Sequence, residues 1–160
     1  MSILDKFLSK SDRNKFSFDD FNIDFKKELK AKIEAEEAIL EGDYKGLGIS
    51  LRLFIEYTEI DNLSNVSRVM MDLDPDNNVI VLDFEYSVDF TKYSRIRKEY
   101  REFEAKEKEK KKAKQNYPIR NAYDFLRLHQ ADYFRINKRS LAYDPATKQV
   151  SEDLSIDLDT

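Results

Sequence analysis

The hydrophobic pattern of this chain changes period part-way along, and that change limits the folds open to it. Phe18, Phe21, Phe25, Leu29 and Ile33 recur every three or four positions, a spacing that puts them on one face of a helix. From Leu47 to Tyr57 the step drops to two. Leu47, Ile49, Leu51, Leu53, Ile55 and Tyr57 alternate with Gly48, Ser50, Arg52, Phe54, Glu56 and Thr58. That alternation, broken only by Phe54, marks a half-buried strand. A second alternation puts Ile80, Leu82, Phe84, Tyr86, Val88 and Phe90 inward, with Val79, Val81, Asp83, Glu85, Ser87 and Asp89 outward. Between them, Arg68–Leu73 reads as a strand with Val69, Met71 and Leu73 on one side. The turn Asp74-Pro75-Asp76-Asn77-Asn78 follows it. Short connections predict a three-stranded antiparallel β-meander covered on one face by helices, an α+β fold.

The helices have their own signals. Ser2 and Asp5 are spaced as a capping box for a short amphipathic helix, with Ile3, Leu4, Phe7 and Leu8 as its stripe. Lys10–Lys15 reads as a polar linker. Ser17 caps the next helix, with Asp20 completing the box and Phe16 and Phe21 as a staple. Glu36 and Glu37 interrupt its stripe, Leu40 resumes it and Gly42 ends it. A second long helix is expected from about Thr91 to about Gln115, with Tyr93, Ile96, Tyr100 and Phe103 packed on the body. Beyond Phe103 the stripe stops, and this charged helix is expected to project into solvent, supported by Glu104/Lys108 and Glu107/Lys111 pairs. Pro118 opens a third helix with Ile119, Ala122, Tyr123, Leu126 and Tyr133 on its apolar face. Asn137–Ser140 ends it. Leu141–Val150 reads as a small hairpin around Asp144-Pro145-Ala146-Thr147. The expected organisation is an arm and linker over 1–16, one α+β domain over 17–150 and an acidic tail over 151–160.

With 160 residues and 41% apolar residues, the chain has material for one core. It has no cysteine, which removes disulfides, thiolate metal sites and thiol nucleophiles. No apolar run approaches the roughly 18 residues of a spanning helix, and no signal-peptide core is present. The expectation is therefore a cytoplasmic protein, or a virion component if viral, with no membrane partner. Charge is uneven. Lys92–Lys114 holds 11 Lys and Arg against 5 Glu, a net +6, which leaves −10 for the remainder of a chain totalling −4. The tail contains Glu152, Asp153, Asp157 and Asp159 and no base.

Candidate chemistry is sparse. His129 is the one histidine, with Asp132 three residues on, and no serine sits in a strand–turn–helix elbow. It reads as a packed or surface residue. Gly46 and Gly48 precede a strand rather than a helix, so they do not form a phosphate loop. Asp72, Asp74, Asp76 and Asp83 have calcium-loop spacing. However, Pro75 lies inside, Asn77 replaces the glycine, and strands flank the loop. Asp83 and Glu85 share a strand face, as in two-carboxylate metal nucleases, but no lysine lies in the strand. No catalytic residue, metal site or cofactor is assigned.

The expected function is a non-enzymatic protein-binding or assembly component: an adaptor, an inhibitor, an immunity-type protein or a phage or virion assembly part. It would use a protein partner or self-assembly. One candidate surface is the outward sheet face, with Phe54, Met70, Val79 and Val81 among charged residues. The others are the arm, through Ile3 and Phe7, and the tail, through Leu154, Ile156 and Leu158, which alternates and can add to a sheet edge. The tail loosely resembles the short linear peptides that bind bacterial sliding clamps, without their leading glutamine. A nucleic-acid reading, not favoured, rests on Arg95, Arg97, Lys98, Arg101, Lys110, Lys111 and Lys112. A metal-dependent hydrolase using Asp83 and Glu85 is the weakest alternative.

Overall fold

A computed structural model describes residues 2–9, 16–38, 40, 48–71 and 76–158. The helices are α1 (Ile3–Leu8), α2 (Ile23–Glu34), α3 (Leu63–Val66), α4 (Tyr93–Ala113), α5 (Ala122–Leu128) and α6 (Gln130–Tyr133). The strands are β1 (Ile49–Glu56), β2 (Val79–Val88), β3 (Phe134–Asp144) and β4 (Gln149–Asp157). The fold is α+β with an antiparallel sheet, but among the described residues the sheet has four strands, in the order β1-β2-β3-β4. The chain divides into two compact units: residues 1–10, 50–86 and 136–160, and residues 11–49 and 87–135. Among the described residues no helix is long and apolar enough to cross a membrane.

In the first unit the two long alternations become β1 and β2, but they are direct neighbours. The Tyr57 N–H donates to the Asn78 carbonyl. Arg52, five residues back on β1, meets Asp83, five forward on β2, as antiparallel strands require. The strand expected at Arg68–Leu73 is not there over its described part, 68–71. Asn62 instead caps α3, its Oδ1 accepting the Ser64 N–H at 3.1 Å, and the chain leaves α3 through a turn. The other neighbour of β2 is β3, from much later in the sequence. The sequence pattern places residues 134–140 at the end of a helix. Strand β3 carries Arg135, Asn137, Lys138, Arg139 and Ser140, so it has no clean hydrophobic alternation. Two of these polar side chains are satisfied by other parts of the sheet unit: Arg139 by Asp83, and the Ser140 hydroxyl by the Val69 carbonyl.

The β3–β4 hairpin turns where Asp144-Pro145-Ala146-Thr147 predicted. Asp144 accepts from the N–H groups of Ala146 and Thr147, and Lys148 takes the left-handed φ of 56°. The tail is edge strand β4. Its register breaks between Leu141 and Ala142, which face Ser155 and Ser151, so Glu152, Asp153 and Leu154 bulge out of the ladder. Helix α1 has the capping box read from sequence. Its Phe7 is fully buried with its ring 5.6 Å from Phe84 of β2. Burying a Phe is worth about 1.5–3 kcal/mol, enough to hold a single-turn helix that would not persist alone.

In the second unit Phe18, Phe21, Phe25, Leu29 and Ile33 are all buried, as their spacing predicts. The helix carrying them is interrupted. Ser17 caps only a 3-10 turn, Phe18–Asp20, and Asn22 starts α2 afresh by accepting the Asp24 N–H at 2.8 Å. An asparagine side chain competes with the helix for backbone donors, which accounts for the break. Helix α2 ends at Glu34, just before the interruption at Glu36 and Glu37, and Leu40 is exposed. Helices α2, α4 and α5 pack on one another. Phe125 is the hub, with ring distances of 5.4 Å to Tyr100, 5.3 Å to Phe103 and 6.0 Å to Tyr133. Helix α5 begins at Ala122, capped by Asn121 and Asp124, and not at Pro118, so Ile119 is exposed.

The second half of α4 is anchored. Glu107 takes the stripe position after Phe103 and is fully buried. It accepts from Arg120 Nη2 at 2.9 Å, the Arg120 N–H at 3.1 Å, Lys110 Nζ at 3.1 Å and the Tyr117 hydroxyl at 3.0 Å. The Arg120 guanidinium also lies 5.1 Å from the centre of the Phe103 ring. Gly42, Gly46, Leu47, Asp72–Pro75 and the linker at 10–15 lie outside the described residues.

Candidate binding surface of the sheet unit

Three strands present Arg52, Asp83 and Arg139 side by side on one face. Asp83 is buried, and a buried carboxylate must be paired. Its Oδ1 accepts from Arg52 Nε at 2.9 Å and its Oδ2 from Arg139 Nη2 at 2.6 Å. Arg52 Nη2 then reaches Glu152 Oε1 of the β4 bulge at 2.9 Å. The bond to Glu152, with help from Asp83, raises the pKa of Arg52 further. Two cations and two anions thus tie all four strands in a neutral chain. The sequence pattern places Asp83 on the outward, solvent-facing side, but it is buried there, and the sequence gives no sign of Arg139 or Glu152 as partners. Only the strand order brings residues separated by 56 and 31 positions onto Asp83.

The same face carries an apolar strip. Phe54 of β1 meets Tyr143 of β3 edge-on at 6.0 Å, and β2 runs between their strands. Phe54 is 58% exposed. Val81, expected to be exposed on this face, is fully buried, because β2 is an inner strand and Phe54 and Tyr143 of the strands on either side meet across it. Val79 and Met70 are half-buried, with Met70 on the turn after α3 rather than on a strand. They line a cavity of about 10 Å³ with Tyr57, Asn77 and Tyr143, room for one water at most.

Edge strand β4 is the most exposed element of the sheet. Leu154 in the bulge is 62% exposed and Ile156 is 39% exposed. Leu158 is half-buried and donates its N–H to the Lys138 carbonyl at 2.9 Å. On α1, Phe7 faces the sheet, while Ile3, Leu4 and Leu8 are exposed.

The nucleic-acid candidates on α4 are divided. Arg95 pairs with Glu99 at 2.6 Å and Lys110 with Glu107 at 3.1 Å, and Lys111 holds the carbonyls of Gln115 and Tyr117. Arg97 donates to the Glu37 carbonyl, and Lys98, Arg101 and Lys112 are exposed. The hydrolase pair is not free to bind metal as expected: both Asp83 oxygens are held by arginines, and only Glu85 remains. Among the described residues no group of three or more metal-ligating side chains occurs. His129 Nδ1 lies 3.4 Å from Asp132 Oδ2, and its ring packs 4.9 Å from Phe125. In comparisons with known proteins, no family model, no curated protein and no solved structure matches this chain.

Proposed function

We propose that the chain is a non-enzymatic binding or assembly component that engages a protein partner through the sheet unit, by strand addition at β4. The observation that carries this reading is the state of β4. Among the described residues it is an edge strand with one neighbour, β3, and it exposes Leu154 and Ile156. An edge strand offers unpaired backbone donors and acceptors, and exposed side chains beside it supply specificity. Phe54 and Tyr143 extend the apolar contact, and Ile3, Leu4 and Leu8 of α1 offer a second patch. The acids Glu152, Asp153 and Asp157 refine the reading. Like charges set opposite each other destabilise a pair of strands, so two β4 strands make poor partners. A neutral or basic strand suits the edge better, whether from another protein or from the β1 edge of a second copy.

The test is sedimentation of the full chain over a wide concentration range, with the lysate of its source as a second arm. Expected is a complex that Ile156→Lys and Leu154→Lys both dissolve while leaving thermal stability within about 1 kcal/mol, as for exposed positions. A chain that stays monomeric and captures no partner sensitive to these substitutions overturns the proposal.

A further inference from the structure

We propose that a cleft along α4 in the helical unit is an oxyanion site, taking a phosphate-class ligand such as a phosphomonoester or short polyphosphate. Ser94, Arg97, Lys98 and Arg101 follow the i, i+3, i+4, i+7 spacing of one helix face. With Glu36 and Glu102 they line a cavity of about 370 Å³, within the range of small-ligand sites.

Arg97 gives the cleft its chemical preference. Its Nη1 donates to the Glu37 carbonyl at 2.6 Å. Its Nε and Nη2 are buried and have no hydrogen-bond partner among the described residues. Those two nitrogens share one edge of the guanidinium and form the fork that meets two oxygens of one anion. A dry, vacant guanidinium fork is costly. A tetrahedral oxyanion satisfies both donors once the fork turns into the cavity that Arg97 already lines. Ser94 supplies a hydroxyl. Lys98 and Arg101 are exposed and make no ion pair among the described residues. Arg95, Lys108 and Lys110 on the same helix are paired with Glu99, Glu104 and Glu107. Three cations without an ion pair among the described residues therefore gather at one cleft.

Glu36 and Glu102 oppose any anion, which selects for ligand charge. Three cations against two carboxylates leave the lining at +1, and a phosphate dianion gains twice the attraction of a monocarboxylate. A single fork fits one phosphate group. A nucleic-acid track needs a row of phosphate contacts, and paired cations flank this one.

The test is calorimetry and NMR titration of the full chain with inorganic phosphate and with pyrophosphate at constant ionic strength, chloride being the balancing anion. An oligonucleotide lacking terminal phosphates is the third arm. Expected is saturable binding of phosphate and pyrophosphate, weakened roughly tenfold or more by Arg97→Gln, the loss of a bidentate charge-assisted pair. Arg101→Gln and Lys98→Gln, both at exposed positions, weaken it without lowering Tm, and Glu102→Gln tightens it. The proposal falls if binding is not saturable at constant ionic strength, or if Arg101→Gln and Arg97→Gln both leave it unchanged. It also falls if the oligonucleotide binds and the two phosphates do not, since α4 would then be a nucleic-acid surface.

Discussion

At the scale of single residues, two buried carboxylates carry most of the specific polar organisation. Asp83 is the centre of the sheet unit. Removing it leaves Arg52 and Arg139 facing each other with no carboxylate between them. Breaking a buried pair on one side costs about 3–5 kcal/mol, so Asp83→Ala is expected to lower unfolding free energy in urea by roughly 3 kcal/mol. Arg52→Met should cost less, because Arg52 and Glu152 are partly exposed and such pairs are worth about 1 kcal/mol or less. Equal losses for the two variants would contradict the central place of Asp83. Glu107 plays the matching part in the helical unit. Arg120, whose guanidinium bonds it, holds this carboxyl well below its ordinary range, with Lys110 and Tyr117 adding to the effect. A depressed folded pKa gives stability that is fully present above the unfolded value, about 4.5, and is lost progressively as pH falls below it. Glu107→Gln should therefore be less stable than the parent at neutral pH. Its Tm should also fall less steeply with acidification below about pH 4.5. A parent and variant with parallel Tm curves would refute this. The sequence marks Asp83 as a candidate metal ligand, and it shows neither carboxylate to be buried and ion-paired. Glu107 sits in a run of alternating Glu and Lys that looks uniformly solvated. What distinguishes it is Arg120 on the returning segment, a contact that depends on where Pro118 sends the chain.

At the scale of elements, legibility followed the hydrophobic period. Where one period held over many residues, as at 49–56, 79–88 and 93–103, the sequence located the element to within a few residues. Where polar side chains took core or sheet positions, it did not. Strand β3 was invisible because Arg139 and Ser140 satisfy their polar groups against Asp83 and Val69. The false strand at Arg68–Leu73 arose from a short alternation, Val69–Met71–Leu73, too brief to outweigh the Asn62 cap upstream. The β3–β4 turn offers a test at this scale. Lys148 adopts a left-handed φ of 56°, a conformation that costs a residue with a Cβ roughly 1 kcal/mol relative to glycine. Lys148→Gly is expected to raise stability by a few tenths to about 1 kcal/mol, and Lys148→Val to lower it. A destabilising glycine would show that the Lys148 side chain makes contacts outweighing the backbone cost.

At the scale of the molecule, the uneven charge is the feature the structure reinterprets most. The +6 segment reads from sequence as a uniformly solvated charged helix projecting from the body. Its cations divide instead into those paired along α4 and those gathered at the Arg97 cleft. The acids of the C-terminal segment are not a diffuse tail: Glu152 closes the ion-pair chain of the sheet, and Asp153 and Asp157 flank an exposed edge. The candidate surface was thus half legible. Phe54, Leu154 and Ile156 were picked out by their place in an alternation, and all three are exposed. Val81, picked out on the same ground, and Phe7, picked out from the helical stripe of the arm, are both fully buried: β2 is an inner strand, and α1 docks by Phe7. Burial of this kind depends on neighbours that a one-dimensional pattern does not specify. The central claim is that β4 is a docking edge, and amide hydrogen exchange along 149–157 tests it most directly. In the dilute full chain, the β4 amides that do not pair with β3 should exchange fast. They should become protected in the concentrated or partner-bound state, with Leu154→Lys and Ile156→Lys abolishing that protection. Association that leaves β4 exchange unchanged, or an edge already protected in the monomer, would contradict the account.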